Sequence, residues 1–484
     1  MLWSWTSSAT TLADEVVAFK LANGMRWLMV VRRQAPVFSG IVMIRVGGTD
    51  ETEGKAGLAH MLEHMAFKGS KVLGTRDWEK EKPLLDAVTL KAKELSDAKN
   101  APAPDKNRIA VLEAELKEQK VPHEKYYVKN EIWELMNKNG ASDLNAFTSK
   151  DVTAYHASMP INRLELWMSV LSQMATDAVF REFYTERDVV AEERRSDVDN
   201  NPDGMLAESL LANSFQSGPY HWSTIGSLDE IRSFTLEDAK AFQEKYYVPG
   251  RMVGAIVGDI DIEKTKRFIE KYFGVMPARA VPPEPMVAEN KGGGETRFAF
   301  DAQPSVALTF HKPTLPDPTE YVFDVATTLL CDGPTSRLYK KLVIEDKIAQ
   351  RVSCTDAFPG SRLPNLLVIW VEPMNGTSLE RATQAALNEI DFMKKELVST
   401  REIERVRKKV TASFLFGLGE NSSLAEELAR FETIFNDWHL LIDYPDRVAA
   451  VTAEDVRQLA QKYFVPENRT IIMRVKDGAG RAVK

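Results

Sequence analysis

TLEDAKAFQEKYYVP at 235–249 returns as TAEDVRQLAQKYFVP at 452–466, without a gap and with seven of the fifteen positions identical. Each copy reads as an amphipathic helix halted before a proline. Each is followed by an apolar, β-rich run, MVGAIVGDI after the first and RTIIMRVK after the second. Self-similarity at one offset, here 217 residues, marks a repeated unit. The 484-residue chain is therefore expected to be an α+β protein made of two homologous α/β domains, and its length suits two domains better than one.

Between the copies, PARAVPPEPMVAENKGGGETR at 277–297 gathers proline and then glycine, the composition of an extended surface linker. The expected layout is an N-terminal tail over 1–14, a first domain over 15–276, the linker, and a second domain over 298–484. The first domain exceeds the repeat length by about 50 residues. They fall at about 75–130, where EKEKPLLDAVTLKAKELSDAK, a break at APAPDKN and RIAVLEAELKEQK predict an inserted helical hairpin. Its charge suits a solvated decoration better than a docking arm.

Composition narrows the function. With 44% hydrophobic and 27% charged residues the chain is a globular protein, and its net charge of −8 argues against a nucleic-acid-binding surface. No apolar run reaches the length of a membrane-spanning helix. Two cysteines, Cys331 and Cys354, give no disulfide framework and no cysteine zinc cluster, and the sequence leaves their pairing open. The small residues of SSATTLA near the start resemble the end of a cleaved leader. Bacterial periplasm and cytoplasm both stay open, with periplasm favoured.

FSGIVMIRVGG at 38–48 reads as a strand ending in glycines, and a helix expected from near Lys55 carries His60-Met-Leu-Glu63-His64. Residues three and four apart share a helix face, so two imidazoles can bind one Zn²⁺ with a carboxylate beside it to take a proton from water. This is the inverse of the HExxH spacing. A catalytic zinc takes a third protein ligand. The best region for it is TERDVVAEERRSDVDNNP at 185–202, a helix with Glu186 and Glu193 two turns apart on one face.

These features resemble the pitrilysin and insulinase family of zinc metallopeptidases, and the resemblance runs over nearly the whole chain from about residue 15. It implies one Zn²⁺ per chain held by His60, His64 and Glu193, with Glu63 as general base and Glu186 holding a ligand or the bound water in place. The 129 residues from His64 to Glu193 exceed the family spacing by about the length of the inserted hairpin. Glu192, about 100° around the helix, is the weaker alternative for the ligand. GASDLNAFTSKDVTAY at 140–155 resembles the family strand beside the zinc, so Asn145, Ala146 and Phe147 would offer an edge to an extended peptide substrate. GPYHWSTIGSLDEI at 218–231 also follows the family pattern and is read as scaffold, with His221 structural.

The second half, through TLLCDGPTSRLYKKL at 328–342, offers no equivalent metal site. Where active family members carry an arginine and a tyrosine seven residues apart, this chain has Val343 and Gln350. The resemblance therefore implies half of a four-domain clamshell, of the zinc-bearing half-length form, completed by a related subunit that supplies the pair. An active homodimer and a non-catalytic scaffold subunit are the alternatives. The expected activity is zinc-dependent endopeptidase cleavage of unfolded peptides.

Overall fold

In the computed structural model the described residues are 12–285 and 291–476. The leader-like start and residues 286–290 of the linker lie outside them. The first half holds a six-stranded sheet in the order β1-β2-β6-β3-β5-β4, and the second a five-stranded sheet in the order β7-β11-β8-β10-β9. The strands of the first sheet are β1 (Val17–Lys20), β2 (Arg26–Val31), β3 (Val37–Ile44), β4 (Ser142–Thr148), β5 (Thr153–Pro160) and β6 (Met252–Gly258). Those of the second are β7 (Gly294–Phe300), β8 (Ser305–Lys312), β9 (Ala349–Phe358), β10 (Asn365–Pro373) and β11 (Arg469–Lys476).

The repeated segments take the same place in both halves. Helix Leu236–Tyr246 is capped by Thr235 and Asp238, and helix Ala453–Tyr463 by Thr452 and Asp455, each through a reciprocal capping box. Each helix leads through a one-turn 3₁₀ segment at its proline into a central strand. β6 runs parallel to β2 and antiparallel to β3, and β11 runs parallel to β7 and antiparallel to β8. The strands entered after each helix are apolar because the sheet buries them on both faces: β6 is buried along its full length.

What covers those faces is not local. Helix Pro202–Ser214, from the first half, sets Leu206, Leu210 and Leu211 against Ala307, Val368 and Ile472 of the second sheet. Helix Asn421–Phe435, from the second half, sets Leu424 and Leu428 against the face of the first sheet that carries Ile41, Met43 and Ala255. Each half thus lends the other a helix. Buried charge joins the halves as well: Asp50 accepts from Arg251 at 2.6 Å and from Arg362, in the second half, at 2.7 Å. Cys331, ending helix Thr319–Cys331, is disulfide-bonded to Cys354 in β9, which answers the pairing left open by the sequence.

The charged stretch after the motif forms two antiparallel helices, Trp78–Lys99 and Lys106–Glu124. They are anchored rather than loosely appended. Glu81 and Arg181 are both fully buried and paired at 2.6 Å, and His123 lies 3.2 Å from the same carboxylate. Burial resists the charge on Glu81, but hydrogen bonds from His123 and Arg181 hold its pKa down to about 2. Removing one partner of a buried pair strands the other charge. Glu81→Gln is therefore expected to cost about 3–5 kcal/mol in denaturant unfolding. Lys82→Ala, which breaks only the exposed pair with Asp86, should change stability by less than about 0.5 kcal/mol.

Candidate metal centre

The motif helix spans Leu58–Ala66, three residues later than the expected start near Lys55. The delay is steric and polar. Gly57 sits at φ +96°, and a Cβ there would meet the Ile225 carbonyl at 2.3 Å. Glu51, buried, accepts the Ala59 amide at 2.8 Å and so satisfies one of the helix's free N–H groups. Leu58, Met61, Leu62 and Met65 are buried in the core of the first half. That leaves His60, Glu63 and His64 on the opposite flank, facing helix Phe183–Arg194.

Three buried arginines hold the facing helix. Arg181, just before it, binds Glu81; Arg187 donates to the Phe234 carbonyl at 2.9 Å; Arg194 donates to both oxygens of Glu208 and to the Gly226 carbonyl. Beyond Arg194 the chain widens into one π-helical turn over Arg195–Asp199. Glu186 and Glu193 project toward the motif helix, while Glu192 is exposed and pairs with Arg195.

His60, His64 and Glu193 each offer a ligand atom, and these atoms lie within 4.8 Å of one another. Glu193 Oε1 is 3.5 Å from His60 Nε2, and its Oε2 is 3.3 Å from His64 Nε2. Tetrahedral ligands at about 2.1 Å from a zinc ion are about 3.4 Å apart, so two nitrogens and a carboxylate at these separations fit that ion. A carboxylate also orients one imidazole from behind: Glu186 Oε1 is 3.0 Å from His64 Nδ1, and Lys68 Nζ is 2.5 Å from Glu186 Oε2. With the proton at Nδ1 held by Glu186, Nε2 is the nitrogen that would give up its proton to a metal.

The electrostatics follow from this layout. Burial works against charge on His64, but its hydrogen bonds with Glu186 and Glu193 win and raise its pKa to about 9. Burial, reinforced by His64, pushes His60 down to about 4. Burial also resists the charge on Glu186, and His64 and Lys68 hold its carboxyl below the usual range. Glu63 is pushed up by burial, while its Oε2 accepts the Thr148 hydroxyl at 2.7 Å. A carboxyl with a raised pKa and one tethered oxygen holds a proton more readily than an ordinary glutamate.

Thr148 ends β4, an edge strand paired to β5 only. Asn145 on this strand is exposed, Ala146 is buried beneath the motif helix, and Phe147 is half-buried with its ring 6.2 Å from His156. The structure thus brings all three beside the motif helix on an open backbone edge. His221 is elsewhere, its Nδ1 on the Phe215 carbonyl. In the second half, Val343 packs against the core and the Gln350 side chain donates to the Pro373 carbonyl. The topological counterpart of the motif helix is Thr319–Cys331, of which the stretch 328–342 covers only the last turn, and neither contains a histidine. Lys68 and Thr148 are partners that the sequence reading missed. Lys68 had a signal, since it continues the four-residue spacing of His60 and His64.

Two family models match the chain. One, described as Insulinase (Peptidase family M16), matches residues 29–81 and 123–227, and the other, Peptidase M16 inactive domain, matches 233–410. The break in the first falls on the helical hairpin. A zinc protease, PqqE, of Helicobacter pylori is 25% identical over 93% of this chain and 91% of its own length. A probable mitochondrial-processing peptidase subunit beta of Arabidopsis thaliana is 23% identical over 95% and 78%. Among solved structures, a protease from Helicobacter pylori superimposes with a TM-score of 0.78 at 23% identity, covering 95% of this chain and 99% of that one. The first half of the periplasmic protease PqqL from Escherichia coli gives 0.67 at 17% identity over 96% and 92%.

The geometry predicts the following from titrating metal-free protein with Zn²⁺ against a competing chelator. One equivalent should bind. Glu186→Gln should weaken binding by about 10–100-fold, Glu193→Gln should weaken it further, and Glu192→Gln should leave it unchanged.

Proposed function

Because the chain belongs to the insulinase (peptidase M16) family, we propose that it is a zinc-dependent endopeptidase that cleaves extended, unfolded peptides. The observation that carries this reading is the convergence of His60, His64 and Glu193 within 4.8 Å, with Glu63 alongside. His60, His64 and Glu193 would hold one Zn²⁺, and Glu186, backed by Lys68, would keep His64 turned toward it. Bound there, zinc supplies a polarised water and a Lewis-acid contact for the scissile carbonyl.

The remaining work falls to side chains and backbone of this chain. Glu63, with Oε2 tied to Thr148, takes the proton of the attacking water at Oε1 and returns it to the leaving amine. Asn145, Ala146 and Phe147, on the free edge of β4, pair their backbone with the substrate as an added strand. Recognition by backbone favours extended shape over any one side chain.

The active form we propose is a heterodimer. Val343 and Gln350 stand where the resemblance expects an arginine and a tyrosine, and both are engaged in the fold of the second half, so a related subunit would supply that pair. The relative from Arabidopsis, named as a subunit, supports this reading. The Cys331–Cys354 disulfide and the periplasmic relative support a periplasmic location, which recovery of the protein only in the cytoplasmic fraction of its cells would rule out.

Glu63→Gln is expected to keep its zinc and lose about 10²–10⁴-fold in the rate of cleavage of an unstructured peptide. Full activity in that variant would remove the assignment of the base. The chain alone should be weakly active and gain activity on mixing with a related chain that carries the Arg/Tyr pair. Full activity of an isolated dimer would favour the homodimer, and absence of bound zinc would favour a scaffold subunit.

A further inference from the structure

The repeat makes the second half a comparison for the first. The candidate metal centre lies where the helix after β3, Leu58–Ala66, faces helix Phe183–Arg194. In the second half the helix after β8, Thr319–Cys331, faces helix Thr400–Gly417, and between them opens a cavity of about 490 Å³. Its chemistry has changed. Glu320 and Asp324 stand four residues apart on the first of these helices, the spacing of His60 and His64. Asp356 from the end of β9 and Glu426 from helix Asn421–Phe435 join them on the wall.

The charge in this cavity is not balanced from within. Lys312, fully buried, reaches Glu320 Oε1 at 2.7 Å and Asp356 Oδ1 at 2.8 Å. Tyr444 donates to Asp324 at 2.8 Å without adding charge, and Arg430 at the wall is taken by Glu427. One ammonium therefore serves Glu320 and Asp356, while among the described residues Asp324 and Glu426 have no direct ion-pair partner and feel Lys312 and Arg430 only at a distance. Glu320 is only 9% exposed, yet its second oxygen, Oε2, is buried with no hydrogen-bond partner, a costly arrangement for a carboxylate. Burial first, and then the neighbouring acids, raise the Asp324 carboxyl well above its usual range and that of Glu320 to about 7.

Tyr321, Phe414, Phe431, Phe435 and Tyr444 add aromatic rings to the wall, among Ser361, Ser413 and Ser423. Among the described residues, the His60, His64 and Glu193 group is the one set of metal donors close enough to share an ion, so these carboxylates are not gathered for a metal. Separated carboxylates beside aromatic faces match instead a cation spread over several atoms and attached to an apolar stem. We propose that this cavity binds an organic cation, a guanidinium or alkylammonium group, with its charge on Asp324 and Glu426 and its stem against Tyr321 and Phe414. The group could arrive as an arginine or lysine side chain of a peptide or as a free amine.

Calorimetric titration of the whole chain with N-acetyl-arginine methylamide, putrescine and the neutral N-acetyl-citrulline methylamide tests this. The expected result is saturable binding of at least one cation, no binding of the citrulline compound, and at least tenfold weaker binding in Asp324→Asn and in Glu426→Gln. Glu426 is exposed, so its variant should fold even if Asp324→Asn does not, and thermal unfolding of both checks this. No saturable binding of either cation, citrulline binding equally well, or full affinity in correctly folded variants would overturn the proposal.

Binding is read without turnover, so failure of the hydrolytic reading leaves this test intact. Only the arm that separates the sources rests on hydrolysis. If the ligand is a peptide side chain, an arginine-containing peptide should have a KM at least fivefold below that of its citrulline twin, and the variants should erase the difference. Binding of putrescine with equal KM values assigns the cavity to a free amine.

Discussion

Helix Phe183–Arg194 must stand at one distance and one rotation from helix Leu58–Ala66, and the chemistry open to the first half depends on that constraint. Buried arginines at 181, 187 and 194 enforce it, anchored on Glu81, the Phe234 carbonyl and the Gly226 carbonyl respectively. A slip of one residue would turn Glu193 away by about 100° and present Glu192 instead. The inserted hairpin takes part in this enforcement through Glu81 and His123. Its charged outer surface, the part that suggested a decoration, hides a buried polar anchor beneath the glutamate-bearing helix.

How much could be read without coordinates depended on range along the chain. The four-residue spacing of His60 and His64 is a local property of a helix, and the capping boxes at Thr235 and Thr452 are local too, so both motif and repeat were legible. Glu193 was reached only through the family resemblance, because the hairpin breaks the spacing. The strand that carries Thr148 is legible, but its link to Glu63 is not, since their hydrogen bond joins residues 85 apart. The Gly57 turn that sets the motif helix's first residue depends on the Ile225 carbonyl, and no nearby sequence encodes it. The exchange of helices between halves was invisible for the same reason: an amphipathic pattern states that a face is covered, not by what.

The two halves show how one frame carries two kinds of cleft. Strand order, capping and the helix pair repeat, while the side chains between the paired helices diverge from imidazoles with a backing carboxylate to crowded acids among aromatic rings. The direction of each pKa shift follows the company kept. His64, between two carboxylates, is pushed toward its charged form, and Asp324, among other acids, toward its neutral one. Backbone topology thus determines where a pocket forms, and the side chains that line it determine its affinity.

The helix exchange also imposes an order in time. The face of the first sheet that carries Ile41 and Met43 is covered by helix Asn421–Phe435, which is synthesised about 380 residues after Ile41. Until then this apolar face lacks its cover, and exposed apolar sheet is the kind of surface that chaperones hold and that aggregates when unguarded. Contacts so distant in sequence also make folding slow. The candidate site is encoded by residues 60–193, yet its supporting sheet is covered only when the second half arrives, so the second half completes the first.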